Sequence, residues 1–448
     1  MSRLVPFARR SPLGTTAACV FLIAAVWVTL NTRRWNHREI LQWDTDGYYL
    51  YLPATLIHGD PLNLAFLDSI PPGKFPNNYR FGQGAFFVES TGRYCDKYSM
   101  GTAVFELPFF LGAHAWCALF SPGEADGYSP PYHLAVALAS AFWPWLGLLV
   151  LMRFLRRYVS DAHAAIALLA LGLGTNLFFY SSFAGGMSHP FLFFLCALLI
   201  ERTDRWYTTP SLRTALVIGA CIGVATLTRP TCALFAFIPL CWRVRDQGLK
   251  LLRAHMAQLF AAASVAMLCV VPQLVYWKVT TGSFLFYSYG GETFDFAHPH
   301  VLDGLFGFRK GWFVYTPLAL LGLFGIARVS RTEALRSYPL MLACFFLPFV
   351  HITFSWDPWW YGGGFGSRPM IDTLPLLALP LVLLVRLSFS LNALAKSALV
   401  TLLVGCIALN VFQQWQYQRG IIHHEAMTFE RWWEVFGEPT SVGLAPFP

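Results

Sequence analysis

Asp44 and Asp46, in the stretch Trp43-Asp44-Thr45-Asp46-Gly47-Tyr48-Tyr49, are the side chains of this sequence best suited to chemistry. Carboxylates one residue apart can hold a divalent cation, or one can take a proton from a hydroxyl while the other orients the site. Either Asp can instead cap the helix that Tyr48 to Ile57 begins. Scarcity gives the pair its weight, because only 12% of the chain is charged.

Four cations stand at conspicuous places. Lys97 opens an apolar run as Lys97-Tyr98-Ser99-Met100-Gly101, where a lysine can face an anionic headgroup or simply snorkel to an interface. Arg229 interrupts an apolar run as Thr228-Arg229-Pro230. A guanidinium there costs roughly 2.5 kcal/mol or more to insert and marks either a buried site or a short turn between half-helices. Arg309 and Arg368 precede later apolar runs, and arginine binds phosphate bidentately without losing its charge. The run Gly362-Gly363-Gly364-Phe365-Gly366 before Arg368 lets backbone approach a ligand closely. Trp356, Trp359, Trp360 and Tyr361 offer flat faces that suit sugars, lipid tails or an interfacial aromatic belt. His189 reads as a polar residue at a helix start. His423-His424-Glu425 reads as tail surface, since adjacent histidines do not face one site from a regular helix.

The elements that must position these groups are membrane helices. The 448 residues are 56% hydrophobic and 17% aromatic, with a mean hydropathy of +0.50, which excludes an ordinary soluble globule. The net charge of +8 does not indicate nucleic acid, because the basic residues fall in short clusters between apolar runs, as in polytopic membrane proteins. The ten cysteines lie mostly within apolar runs and show no zinc spacing or disulfide framework. Arg3, Arg9 and Arg10 precede an apolar run from Leu13 to Leu30 with no small-residue cleavage site after it. This predicts an uncleaved first span with a cytoplasmic N-terminus.

Residues 31–98 then form a long first external loop with the acidic motif, an amphipathic surface helix over 48–57 and a Pro/Gly/Asn-rich section over 71–84. Further spans are expected at 101–120, 132–152, 162–181, 187–200, 213–241, 255–278, 312–327, 338–354, 373–389 and 394–412. The run 213–241 is broken at Arg229-Pro230, as happens where a helix lines a cavity. The expected fold is an all-α transmembrane bundle of about eleven spans, forming one module over 1–412 with a short external tail over 413–448. Loops 31–98, 279–308 and 355–372 share one face. This arrangement sends the Arg153, Arg156, Arg157 cluster to that same face, against the positive-inside tendency.

The acidic motif in the first external loop, the Lys97-Tyr98 span opening, the Thr228-Arg229-Pro230 break and the Trp-rich later loops resemble the C-type glycosyltransferase superfamily. That group includes protein O-mannosyltransferases, aminoarabinose transferases and oligosaccharyltransferase subunits. The resemblance implies a multi-pass enzyme, in a bacterial inner membrane, that moves a sugar from a polyprenyl-phosphate-linked donor to an acceptor hydroxyl at the external face. Asp44 or Asp46 would be the catalytic carboxylate, and Lys97, Arg229, Arg309 and Arg368 would bind the donor phosphate. Trp356, Trp359, Trp360 and Tyr361 would line the groove. Some relatives use a divalent cation at the acidic loop. Here no third carboxylate is assigned to one, and a cation at Asp44 and Asp46 stays an alternative. The acceptor can be lipid, glycan or protein. The competing class is a secondary transporter or flippase with Arg229 at its broken helix.

Overall fold

The computed structural model describes residues 11–69, 84–246, 248–332 and 335–440. Most of the 71–84 section predicted to be rich in turns therefore lies outside the described residues. The chain is mostly helical, and among the described residues its sheet consists of two short antiparallel pairs, Ala85–Val88 with Arg93–Asp96 and Thr293–Phe294 with Trp356–Asp357.

The first half runs α1 (Pro12–Thr32), α2 (Asp44–Leu56), α3 (Gly101–Phe120), α4 (Pro130–Leu155), α5 (Asp161–Leu173), α6 (Asn176–Ser182), α7 (Ser188–Thr208) and α8 (Leu212–Thr228). The second half runs α9 (Phe237–Cys241), α10 (Gly248–Ala254), α11 (Met256–Thr281), α12 (Val301–Phe306), α13 (Trp312–Tyr315), α14 (Pro317–Phe324), α15 (Ile326–Val329), α16 (Tyr338–Ser355), α17 (Leu374–Ser388), α18 (Ala393–Gln418) and α19 (Phe429–Val435). Among the described residues seven helical stretches are long and apolar enough to cross a membrane, or eight if α5 and α6, bent by 64°, count as one. The expected span over 213–241 is broken where proline predicts: α8 ends at Thr228 and a tight 3-10 segment, Pro230–Ala236, follows. The run 312–327 is also subdivided, into α13, α14 and α15, with Pro317 opening the second piece.

One expectation is corrected. Helices α3 and α4 pack antiparallel: Phe105 lies against Trp143, and Phe110 and His114 lie against Tyr132. The 121–129 turn between them returns to α2, where the Tyr49 hydroxyl donates to the Gly127 carbonyl. Thus α4, not α3, carries the chain to the far end of the bundle. There Arg156 meets Ser11 and Asp161, Arg157 meets Asp204, and Arg243 lies 3.9 Å from Asp204. Arg386 donates to the Tyr158 carbonyl at the same end. The Arg153 to Arg157 cluster therefore sits with the other basic clusters and with the start of α1, and the apparent exception to the charge rule disappears.

The expected surface helix is also repositioned. Tyr49, Leu50, Leu52 and Ala54 of α2 are buried against α3 and the 121–129 turn, forming a second apolar core apart from the main bundle. Helix α18 continues to Gln418, and the tail beyond it folds back, with Trp432 buried and Gln416 donating to the Val435 carbonyl.

Helix α8, which leads into Arg229, is held closely to α11. Gly219 and Gly223 face it one turn apart, and a Cβ on Gly219 would lie 2.1 Å from the Ala262 carbonyl oxygen. Small residues four apart allow backbones to approach without lipid between them. Gly219→Val should therefore cost about 1–3 kcal/mol of stability, read as a lowered melting temperature in detergent micelles. An unchanged melting temperature would show that the two helices separate freely.

Candidate functional site

Four segments expected on one face do converge. Arg368 of the Gly-rich loop reaches Asp44 of α2, Lys97 reaches Glu292 of the 279–308 loop, and Arg309 donates to the Glu425 carbonyl of the tail. Thr293 and Phe294 pair with Asp357 and Trp356.

Asp44 lies at the centre. It occupies the first turn of α2, where a carboxylate also favours the helix dipole. Its Oδ2 accepts from Arg368 Nη2 at 2.6 Å and its Oδ1 accepts from the Tyr98 hydroxyl at 2.7 Å. Burial pushes its pKa up, but Arg368, the Tyr98 hydrogen bond and the Lys97 charge together hold it below the ordinary carboxylate range. Asp44 is thus an ionised carboxylate that is still about a quarter exposed, at 26%.

Asp46 does not join it. On a helix, residues two apart point to nearly opposite sides, and Asp46 is buried at 1% exposure while Asp44 lines the cavities. The pair does not fit a bridging divalent cation, because both oxygens of Asp44 are engaged and Asp46 faces away. Among the described residues no group of three or more His, Cys, Asp or Glu side chains is arranged to hold a metal ion.

Three cavities adjoin here, and Asp44 lines two of them. The first, of about 970 Å³, is lined by Arg34, Glu39, Gln42, Trp43, Tyr417, Gln418 and Glu425 among others. The second, of about 280 Å³, is lined by Pro230, Trp277, Phe286, Phe294 and Trp356, with Lys97 and Arg229. It borders α11, of whose most apolar stretch only 6% is buried in the protein. A junction of about 140 Å³ joins them, bringing together Asp44, Lys97, Arg229, Arg368, Trp356 and Tyr361. Tyr361 lines all three cavities, and its backbone is in the left-handed region at φ 60°. A bulky residue is rarely held there unless its surroundings impose it.

Of the residues expected to form the site, the structure assembles Asp44, Lys97, Arg229, Arg368, Trp356 and Tyr361. Arg309, Trp359 and Trp360 do not line these cavities. Arg309 lies over the Trp360 ring at 3.5 Å, and Trp359 stacks on His300. Both arrangements hold the later loops together rather than facing a ligand.

Sequence reasoning missed several groups. His189 is fully buried, with Nδ1 2.9 Å from Asp372 Oδ1 and Nε2 3.3 Å from Arg229 Nη1. Arginine has only donors, so Nε2 accepts and the imidazole proton sits on Nδ1, donating to Asp372. A signal existed: Asp372 follows Arg368 by four residues, so one turn supplies both the partner of Asp44 and the anchor of His189. Lys310 was passed over beside Arg309. It is buried, and its Nζ donates to the Gly364 carbonyl, pinning the Gly-rich loop.

Lys310 also gives a pH signature. Burial and the Arg368 and Arg309 charges, opposed by Glu425, push its amine down to about 7. A lysine in the unfolded chain titrates near ~10.4. Between these values the unfolded state binds more protons, so stability rises with pH through that window. The melting temperature in detergent should climb above pH 7, and Lys310→Met should flatten the climb. An equal slope in the variant would assign the effect elsewhere.

No family model matches the chain, and no curated protein matches it.

Proposed function

We propose that this chain is a membrane glycosyltransferase that moves a sugar from a polyprenyl-phosphate-linked donor to an acceptor hydroxyl. The observation that carries the reading is the position of Asp44, an ionised carboxylate at the junction between an apolar cavity containing two cations and a larger cavity of mixed lining. The resemblance of the acidic motif and the Thr228-Arg229-Pro230 break to C-type glycosyltransferases points the same way.

The polyprenyl chain enters beside α11, where the lining is largely aromatic. Its phosphate comes to rest against Arg229 and Lys97, and its sugar occupies the junction. The acceptor oxygen attacks the anomeric carbon from the larger cavity as the bond from that carbon to the phosphate oxygen breaks. The electron pair leaves with the phosphate, whose charge Arg229, Lys97 and Arg368 neutralise. The acceptor proton passes to Asp44. Asp44 is a weak base while Arg368 holds it, so an incoming phosphate that draws Arg368 away raises its proton affinity when the reaction needs it. The positive-inside tendency favours a cytoplasmic location for the end of the bundle carrying the clustered arginines, and so an external site; a bacterial inner membrane is what the resemblance implies.

The test is donor cleavage by the full chain in nanodiscs, using a panel of radiolabelled polyprenyl-phosphate sugars. Release of polyprenyl phosphate from at least one donor supports the enzyme. Movement of intact labelled lipid across a bilayer, with no anomeric bond broken by any donor, would replace it with a transporter.

A further inference from the structure

The larger cavity is the one from which the acceptor approaches. Resting on the glycosyltransferase reading, we infer that it binds a neutral glycan, so that the acceptor is the end of a sugar chain rather than a protein side chain. The lipid-compatible surface is in the other cavity, beside α11. The larger cavity is less apolar, with charged and amide side chains set among aromatic and aliphatic ones. At about 970 Å³ it reaches the upper size range of small-ligand pockets, ample for several sugar rings.

Both of its arginines are paired, and Glu425 adds one further carboxylate. Arg34 Nε lies 3.0 Å from Glu39, and Arg368 lies 2.6 Å from Asp44. With the fields of these arginines largely cancelled, the cavity has no concentrated cationic surface for a polyphosphate and no concentrated anionic one for a basic peptide. What remains for binding is amide and aromatic. Gln42 and Gln418 offer both donors and acceptors, as hydroxyl-rich ligands require.

Trp43 supplies the stacking face. It directly precedes Asp44, is 60% exposed and lies in the left-handed region at φ 53°. That conformation is costly for a tryptophan and projects a large apolar ring onto the cavity wall instead of into the core. Tyr417 of α18 provides a second ring on the cavity lining. Flat apolar faces edged by amides, next to a carboxylate that can take a hydroxyl proton, match the alternating apolar faces and hydroxyl rims of a sugar chain.

The experiment measures binding of neutral trisaccharides (glucan, mannan and galactan) to the full chain in nanodiscs by tryptophan fluorescence, with a Ser/Thr peptide as the competing probe. Transfer from the labelled donor to each probe is followed in parallel. At least one trisaccharide should bind and accept sugar, and Trp43→Ala should weaken its binding at least tenfold. The inference is overturned if no trisaccharide binds, if Trp43→Ala leaves saccharide binding unchanged, or if the peptide alone accepts sugar. Donor hydrolysis to water without added acceptor separates the two readings. Hydrolysis without saccharide binding removes only the glycan acceptor, whereas no donor cleavage under any condition removes the glycosyltransferase reading itself.

Discussion

Asp44→Asn should lower sugar transfer by roughly 10²- to 10⁴-fold, the range lost when a general base is removed. The amide keeps the size of the side chain and can still accept from Tyr98 at 2.7 Å, so the fold should survive. It has no proton affinity to offer the acceptor hydroxyl, and it no longer holds Arg368 through charge. Donor affinity should therefore hold or rise, because Arg368 is freed for the phosphate. Asp46→Asn provides the contrast. Asp46 is buried within α2, on the side away from the cavities, so its replacement should change the yield of folded protein more than the turnover of each folded molecule. Single-turnover rates on donor-loaded enzyme, normalised to the folded fraction, distinguish the two. If Asp46→Asn loses the rate and Asp44→Asn keeps it, the assignment of the base is wrong.

The second large effect concerns the anion site. Arg229→Gln should lower turnover by about 10²- to 10³-fold, as expected when a preorganised group facing developing charge is lost. The sharper test is Asp372→Asn. Asp372 lines none of the three cavities, but it accepts the Nδ1 proton of His189 and so fixes Nε2 as the acceptor for Arg229. An asparagine amide can instead donate to Nδ1. The imidazole proton then moves to Nε2, where it opposes Arg229. Asp372→Asn should thus raise the donor KM and lower turnover in the direction of Arg229→Gln. The combination of the two should be little worse than Arg229→Gln alone, since residues acting through one another are not additive. Fully additive losses would mean that Asp372 serves only the packing around it.

Much of the site is legible from local chemistry. A carboxylate in a sparsely charged chain, an arginine before a proline within an apolar run, and an arginine after a glycine-rich loop are each expensive to place at random, and the structure gathers Asp44, Arg229 and Arg368 around one junction. Arg309 and Trp360 carry the same sequence signals, yet they satisfy each other by stacking. The signal for a desolvated cation does not reveal whether its partner is a ligand or a neighbouring ring.

The sequence by itself determines the class of molecule and the broken helix at Arg229, because hydropathy and proline act through the solvent and the local backbone. Pairing and direction belong to the tertiary structure. Which way a long apolar helix runs depends on its neighbours: α3 packs antiparallel to α4, and the turn after it meets α2. The two aspartates are equivalent in sequence and are separated only by the pitch of α2, which turns Asp44 to the cavities and Asp46 to the interior. Asp372 and His189, 183 residues apart, carry no shared local pattern, and only the meeting of α7, α8 and the segment before α17 makes them the support of Arg229.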